Sequence, residues 1–378
     1  MIEIKISTIE LFVALIVIGS ASIQLVYYLF FYIRIAFIKR KKKTPPTHKP
    51  VSVIICAKNE EYNLKKNLRL VLEQQYTEFE VVVVNDCSQD DTDFYVTRLQ
   101  KDYSHLRYTK ILEDPKFKHN KKLAVTIGIK AAKYDTFVFI DADCYPVSNT
   151  WLSDICAEFS DKKHIILGYG GYEMKSGFLD KLVRYDTCCI ALQYMTFAHA
   201  GIPYMGVGRN LAYSRDMYVK SSRFVNHSHM QSGDDDLFIA EVATAKNTAI
   251  CLVPTSFTRS EQVSSFREWR YQKQRHLTTS RKYSFLQKIV LILEPLSRVL
   301  FYCSVVAYAF CSFQNYFVLA ISLVAARMLV YFVTNVCAMN SLHEKKLLVY
   351  SLIFDSMLPI IITFLHIQNM IRTQKKRW

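Results

Sequence analysis

Two carboxylates held one residue apart close an apolar run at Phe137-Val-Phe-Ile-Asp-Ala-Asp143. Side chains alternate along a strand, so Asp141 and Asp143 leave its carboxyl end on the same side. Paired hard oxygen donors of this kind suit a divalent cation, Mg²⁺ or Mn²⁺, whose remaining ligands are phosphate oxygens. A second acidic cluster, Ser232-Gly-Asp-Asp-Asp-Leu-Phe238, precedes an apolar helical stretch over residues 237–245. Three adjacent carboxylates repel one another, which argues against a buried structural role for them. A helix N-terminus favours anions, so a carboxylate there can cap the helix and still serve as a base. The plain alternative for Asp141 and Asp143 is an Asp-rich turn after a strand, and the neighbouring elements must decide.

Those elements read as alternating strands and helices. The four apolar residues before Asp141 form a strand buried on both faces, as in a parallel sheet. Residues 51–57 are another such strand. Residues 63–75 have helical spacing through Leu64, Leu68 and Leu72, and residues 79–84 form a third strand ending in Asn85-Asp86-Cys-Ser-Gln-Asp-Asp-Thr92. Strand–helix–strand implies a parallel crossover, which brings the loops after Ala57 and Val84 to one sheet edge. Ligands of open α/β sheets bind at that edge. Asp90-Asp91-Thr92 supplies caps for a helix running to Leu99. Asp86 ends its strand facing the crevice, where a carboxylate can accept hydrogen bonds from a base or a ribose. A helix opening near His119 carries Lys121 and Lys122, which as neighbours cannot both point into the crevice. Further on, residues 168–172 read as a short strand or turn and 178–197 as an amphipathic helix.

The 378 residues carry a formal charge of +15, with much of the excess beside apolar segments. No zinc-finger, RNA-recognition or homeodomain pattern accompanies it, so nucleic-acid binding is set aside. Among ten cysteines there is no Cys-x-x-Cys pair, and they read as reduced, small apolar residues without a metal role. Residues 8–38 are apolar over a length that spans a ~30 Å hydrocarbon core. No basic region precedes them and no small-residue cleavage site follows, which favours an uncleaved anchor. Lys39-Arg-Lys-Lys-Lys43 marks the cytoplasmic flank and places the soluble part in the cytoplasm. The chain therefore divides into an anchor and basic linker at 1–46, a soluble domain at 47–284 and an apolar region at 285–378. In the last region, 285–296 reads as an interfacial helix interrupted at Glu294-Pro295, and 298–313, 316–339 and 347–370 are candidate spans. Three crossings would leave Lys375-Lys-Arg377 outside, against the positive-inside rule, so one of the three is expected not to cross. The sequence does not say which. The third contains Asp355, Pro359 and His366, and reads equally well as an interfacial or re-entrant segment.

Val51-Ser-Val-Ile-Ile-Cys-Ala-Lys-Asn-Glu-Glu61, Val82-Val-Val-Asn-Asp-Cys-Ser88 and Phe139-Ile-Asp-Ala-Asp143, in this order and spacing, resemble the inverting family 2 glycosyltransferases. The resemblance runs from about Val51 to about His276. It implies an α/β domain of the GT-A nucleotide-sugar type on an integral membrane protein. The implied reaction moves a sugar from a nucleoside-diphosphate donor, usually a uridine one, to a lipid-linked or polysaccharide acceptor. By resemblance, Ala57 and Asp86 hold the nucleotide, with Lys121 close to it, and Asp141 and Asp143 form the metal pair, Asp141 also touching the donor. Asn120 replaces the glycine of the family's Gly-Lys segment, and Cys87 replaces a frequent glycine. Gly208, Arg209 and Asn210 match a Gly-x-Asn-Leu-Ala stretch that lines the crevice near donor and acceptor. Gln272-x-x-Arg275-His276 is similar to a Gln-x-x-Arg-Trp signature that contacts acceptor sugar and diphosphate; histidine offers less stacking surface than tryptophan and weakens an implication of processivity. The second acidic cluster matches the family's base motif. Counting back from Leu237 favours Asp234 as the base, while reading the pair as Asp234-Asp235 favours Asp235. Two rivals stand beside this reading. A nucleotidyltransferase would need a Gly-rich basic loop where this chain has Cys56-Ala-Lys-Asn-Glu60, and a non-catalytic membrane scaffold would have no need of all three acidic motifs.

Overall fold

The computed structural model describes residues 2–38, 49–113, 120–227, 230, 232–310 and 317–371. The basic runs at 39–43 and 375–377, most of the proline-bearing linker and His119 lie outside the described residues. The soluble part begins with β1 (Val51–Ala57), α2 (Glu61–Leu72), β2 (Phe79–Asp86), α3 (Thr92–Leu99) and β3 (Leu106–Ile111), after the N-terminal helix α1 (Ile2–Val26). It continues through α4 (Lys121–Ala131), β4 (Thr136–Phe139), β5 (Cys144–Pro146), α5 (Trp151–Cys156), β6 (Ile165–Leu167) and β7 (Gly170–Tyr172). The long α6 (Phe178–His199) leads into β8 (Leu211–Ser214), α7 (Arg215–Lys220), α8 (Asp236–Val242), β9 (Thr248–Ile250), β10 (Thr258–Ser260) and α9 (Phe266–Leu277).

Among the described residues, seven strands form one sheet in the order β3-β2-β1-β4-β8-β6-β9, and β5-β10-β7 form a second, small sheet. The first four are parallel, with Ala57 opposite Asn85 and Ile54 opposite Phe139, whereas β8 runs antiparallel to both β4 and β6. The uninterrupted apolar runs are explained by burial on both faces. Val53, Ile55, Val81, Val83 and Val138 point to the side covered by α2, α3 and α5. Ile54, Val82, Val84, Phe137 and Phe139 point to the opposite side, beneath α4, α6 and α8. Each such side chain contributes roughly 1.5–3 kcal/mol of burial, which fixes the register and with it the loops at the carboxyl edge. Asp90 bonds the N-termini of two helices at that edge, through Oδ1 to the Thr92 N–H (3.1 Å) and Oδ2 to the Glu61 N–H (3.0 Å).

Three further helices, α10 (Phe285–Phe310), α11 (Phe317–Ser341) and α12 (Leu348–Ile371), follow the soluble part. With the N-terminal segment, they make four helices, among the described residues, long and apolar enough to cross a membrane. The expected interruption at Glu294-Pro295 does not occur, because α10 runs through Pro295 without a break. Gln24 of α1 packs there, donating from Nε2 to the Glu294 carbonyl (3.0 Å) and to Ser297 Oγ (2.7 Å), and packing against a neighbouring helix lets an apolar helix carry a proline. α1 lies antiparallel to α10, with Tyr27, just past α1, bonded to the Val290 carbonyl near one end and Tyr308 bonded to Glu10 near the other. The α11–α12 turn is tied to the soluble domain by Glu344, which accepts from Tyr169 (2.8 Å) and from Arg184 (2.6 and 2.9 Å) and pairs with Arg259.

Candidate active site

Parallel pairing of β1, β2 and β4 brings Ala57, Asp86 and Asp141 to one edge. Ala57 and Asp86 are both buried there. Cys87 has a φ of 55°, in the left-handed region where glycine is at ease, which is the physical reason glycine suits this position. Its Sγ meets the Ile111 carbonyl at 3.1 Å.

Lys121 opens α4, behind the Asn120 cap, and its Nζ lies 2.6 Å from Asp141 and 3.2 Å from Asp234. Lys122 turns the other way and donates to the Met230 carbonyl (3.1 Å), so the crevice lysine is Lys121. Burial pushes the Lys122 amine down to about 8. The crevice amine of Lys121 is opposed by burial too, but Asp141, Asp234 and Asp235 hold it well above the ordinary lysine value.

Asp141 and Asp143 behave differently although they share a strand end. Burial would raise Asp141, but Lys121 outweighs it and the carboxyl is held below its usual range. For Asp143 burial and the Asp141 charge act together and raise it. A carboxylate raised by a like-charged neighbour gains from a cation between them. Oxygen atoms of Asp141 and Asp143 and the Cys144 sulfur lie within 4.8 Å of one another. The Cys144 thiol is driven up by burial and donates to Asp143 (3.3 Å), so it stays protonated and the carboxylates are the metal donors on offer. The residues present therefore fit a hard divalent ion. Glu60, which sequence reasoning left unassigned, sits close enough to feel both charges; burial, then Asp143 and Asp141, push it up to about 7 against a bond from Asn63. Its position directly after β1 at the same edge was the available signal.

Gly208 closes the ring. Its N–H donates to Asp235 Oδ2 (2.8 Å), and a Cβ there would lie 3.1 Å from Lys121 Nζ and 3.5 Å from Asp141 and Asp235. The three carboxylates of the second cluster take separate jobs. Asp234 faces Lys121. Asp235 caps α8 by accepting from the Asp236 N–H (2.7 Å) while its other oxygen faces Gly208. Asp236 is buried and bonded to Tyr283 (3.0 Å) and to the Leu237 N–H (2.7 Å), so the expectation that none of the three would be buried and structural fails for this residue. A buried carboxyl is tolerated where hydrogen bonds satisfy it, and two donors do so here. Burial, then Asp234 and Asp236, push Asp235 up to about 7, with Lys121 and the Gly208 N–H pulling the other way.

Asn210 corrects another expectation. It is fully buried; Oδ1 accepts from Trp151 Nε1 (3.1 Å), and Nδ2 donates to the Tyr169 and Ser256 carbonyls (2.9 and 2.8 Å). An amide with these bonds braces the sheet edge from behind and is not offered to a ligand. Arg209 lies over the Tyr172 ring at 4.7 Å, and Gln272 donates to the Tyr172 hydroxyl (3.1 Å). Tyr172 thus links two predicted contacts, and no motif marked it. Among the described residues, Arg209 Nη1 and Arg275 Nε are buried without a hydrogen-bond acceptor. Both guanidinium charges reach Asp141. His276 is solvent-exposed beside them. α9 is held in place by Trp269, which donates to Asp186 of α6 (3.2 Å), and by Lys273, which pairs with the same carboxylate.

A family model described as "Glycosyl transferase family 2" matches residues 52–217, the stretch that carries β1 through β8 and the Asp141–Asp143 pair. Residues 52–217 thus carry the pattern of a family 2 glycosyltransferase domain. The domain has the GT-A fold. A solved mannosyltransferase, PcManGT from Pyrobaculum calidifontis, in complex with GDP-Man and Mn²⁺, superposes with a TM-score of 0.64 at 17% identity, covering 97% of this chain and 99% of its own. TarS 1–349 from S. aureus aligns over 85% of this chain and 88% of its own, with a TM-score of 0.42 at 16% identity. A search for curated relatives by sequence finds no match. Among the described residues, this domain is joined to four helices that suit a membrane.

Proposed function

We propose that this glycosyltransferase moves a sugar, with inversion, from a nucleoside-diphosphate sugar to a lipid-linked or polysaccharide acceptor at the membrane surface, with Asp235 as the base. The observation that carries the reading is the convergence of Asp141, Lys121, Gly208 and Asp235 at one sheet edge, with spare guanidinium nitrogens of Arg209 and Arg275 nearby. Ala57 and Asp86 would take the nucleoside, and the two arginines the diphosphate, which suits bidentate donors. Bound by Asp141 and Asp143, a divalent cation would neutralise the diphosphate oxygens as they leave. Asp235 would accept the acceptor hydroxyl's proton as that oxygen bonds to the anomeric carbon. The anomeric carbon–phosphate oxygen bond breaks on the opposite face, and the electron pair departs with the nucleoside diphosphate. A base with a value near neutral pH works best, which favours Asp235 over Asp234, already paired with Lys121. Gln272 and the exposed His276 would border the acceptor.

The resemblance points to uridine, whereas the structurally similar mannosyltransferase binds a guanosine donor, so the test is a panel of both. Nucleoside diphosphate release by the detergent-purified chain is measured with Mn²⁺, Mg²⁺ or EDTA. Metal-dependent release from one donor, lost in Asp143→Asn and Asp235→Asn, is the expected result. Undiminished release in Asp235→Asn overturns the assignment of the base. No donor binding by calorimetry with metal present overturns the catalytic reading in favour of a scaffold.

A further inference from the structure

We infer that α12 does not cross the membrane. It lies in the plane of the leaflet that faces the catalytic domain, with an apolar stripe against lipid. The inference goes beyond the proposed reaction and needs neither its donor nor its chemistry.

By composition α12 is a span like the others, with 24 residues and an apolar sequence. Its contacts say otherwise, because both of its ends are held by the catalytic domain. Near the start, Leu347 is buried in the core beneath the sheet, and Phe354 packs on Phe178 (5.2 Å) and Tyr185 (5.5 Å) of α6. Near the end, Gln274 of α9 donates to Gln368 (3.0 Å), Asn369 donates to the Gln274 carbonyl (2.7 Å), and Arg281 donates to the Asn369 carbonyl (3.2 Å). Fourteen residues of helix, about 21 Å, separate Phe354 from Gln368. A helix crossing a ~30 Å hydrocarbon layer cannot have both ends on a polar domain that stays on one side.

The other three helices behave as a spanning bundle. At one level Asp355 of α12 meets Arg327 of α11 and Arg298 of α10. Away from the domain, α1, α10 and α11 continue together through Ala14, Val17, Tyr308 and Ala320, a cluster that contains no α12 residue. α12 thus bridges the domain-side parts of α10 and α11 as a crossbar.

Its outer face fits lipid and nothing polar. Val349, Ile360 and Ile371 recur every eleven residues, three turns apart, so they share one stripe, and they are 75%, 55% and 79% exposed. Phe364 and Ile367 widen it. A long apolar face on a helix pinned along a polar domain matches an interfacial helix. Charge gives a second, independent reason. With α10 and α11 crossing as a pair and α12 in plane, Lys375-Lys-Arg377 falls on the same side as Lys39-Arg-Lys-Lys-Lys43, which removes the conflict with the positive-inside rule. The arrangement also sets α9, with Gln272 and Arg275, directly on the lipid-lying helix.

The test uses the full chain in sealed membrane vesicles. One variant carries an epitope tag after Trp378 and another a tag between α10 and α11, each scored for protease access relative to the catalytic domain. The expected result is the Trp378 tag on the catalytic side and the α10–α11 tag on the opposite side. A Trp378 tag on the opposite side, or an α10–α11 tag on the catalytic side, overturns the inference. Depth is then read with a nitroxide amino acid placed singly at Val349, Ile360 or Ile371, which avoids the native cysteines. Similar shallow depths at all three positions are expected. A spread approaching the ~33 Å of 22 helical residues would show a crossing or re-entrant helix and overturn it.

Discussion

The crevice and the domain–helix junction both concentrate charge, and they resolve it in opposite ways. At the junction one carboxylate, Glu344, is surrounded by Arg184, Arg259 and the Tyr169 hydroxyl, so every buried charge has an opposite beside it. In the crevice, like charges are crowded: Asp141 beside Asp143, and Asp234, Asp235 and Asp236 in a row, with one lysine between the two groups. Two arginines beside them keep donor atoms without acceptors among the described residues. A satisfied network serves folding, because breaking a buried pair is costly. An unsatisfied one stores repulsion that a ligand of the right charge relieves, which is why perturbed groups mark sites.

The sharpest way to break this comparison is to neutralise one residue of each region. Asp235→Asn is expected to lower kcat/KM for sugar transfer by about 10²–10⁴, the usual contribution of a general base. In the metal-free protein the same change is expected to raise the thermal midpoint above neutral pH, because it removes repulsion. Glu344→Gln is expected to do the reverse, leaving kcat per folded molecule intact while lowering stability by about 3–5 kcal/mol in a denaturant titration in detergent. If both variants lose stability alike, the distinction between the regions fails.

A pH series sharpens it further. Asp235 must be ionised to act, and its value is raised to about 7, so kcat/KM is expected to fall about tenfold per unit below that point. Lys121→Met removes a charge that lowers Asp235, so the acid limb should move to higher pH. Stability runs the other way. The folded state holds the Asp235 proton up to about 7 while the unfolded chain releases it near the ordinary carboxyl value of about 3.9. Between those points the metal-free protein should lose stability as pH rises, and Asp235→Asn should flatten that slope. The smallest effect is expected at Cys87→Gly. Relief of a left-handed φ is worth about 1–2 kcal/mol, offset in part by the entropy glycine gains on unfolding, so a chemical melt should show a stabilisation of under ~1 kcal/mol.

Much of the domain was legible because its strands are buried on both faces. The apolar runs at 51–57, 79–84 and 137–140 needed no partner to be recognised, and each leads to the edge at Ala57, Asp86 and Asp141. The helix pattern over 178–197 was equally plain, and α6 runs from Phe178 to His199. Asn210 was misassigned because a stretch that lines a crevice alternates, and only packing tells which side chains turn back toward Trp151. Pro295 misled for a related reason: a proline in isolation breaks a helix, and Gln24, which packs against α10 there, lies some 270 residues away in the chain.

Residue type and spacing along the chain determined the alternating strands and helices, the two acidic clusters, and the apolar segments, because backbone periodicity and hydropathy are local properties. Which carboxylate is paired, which is buried and which is left for chemistry was decided only in three dimensions. Asp234, Asp235 and Asp236 are adjacent and identical in type. Lys121, Gly208 and Tyr283, from three distant parts of the chain, give them three different environments. The same holds for α12, whose composition is that of a membrane span. Hydrogen bonds from α9 to its far end, which no local pattern encodes, keep it on the domain's side.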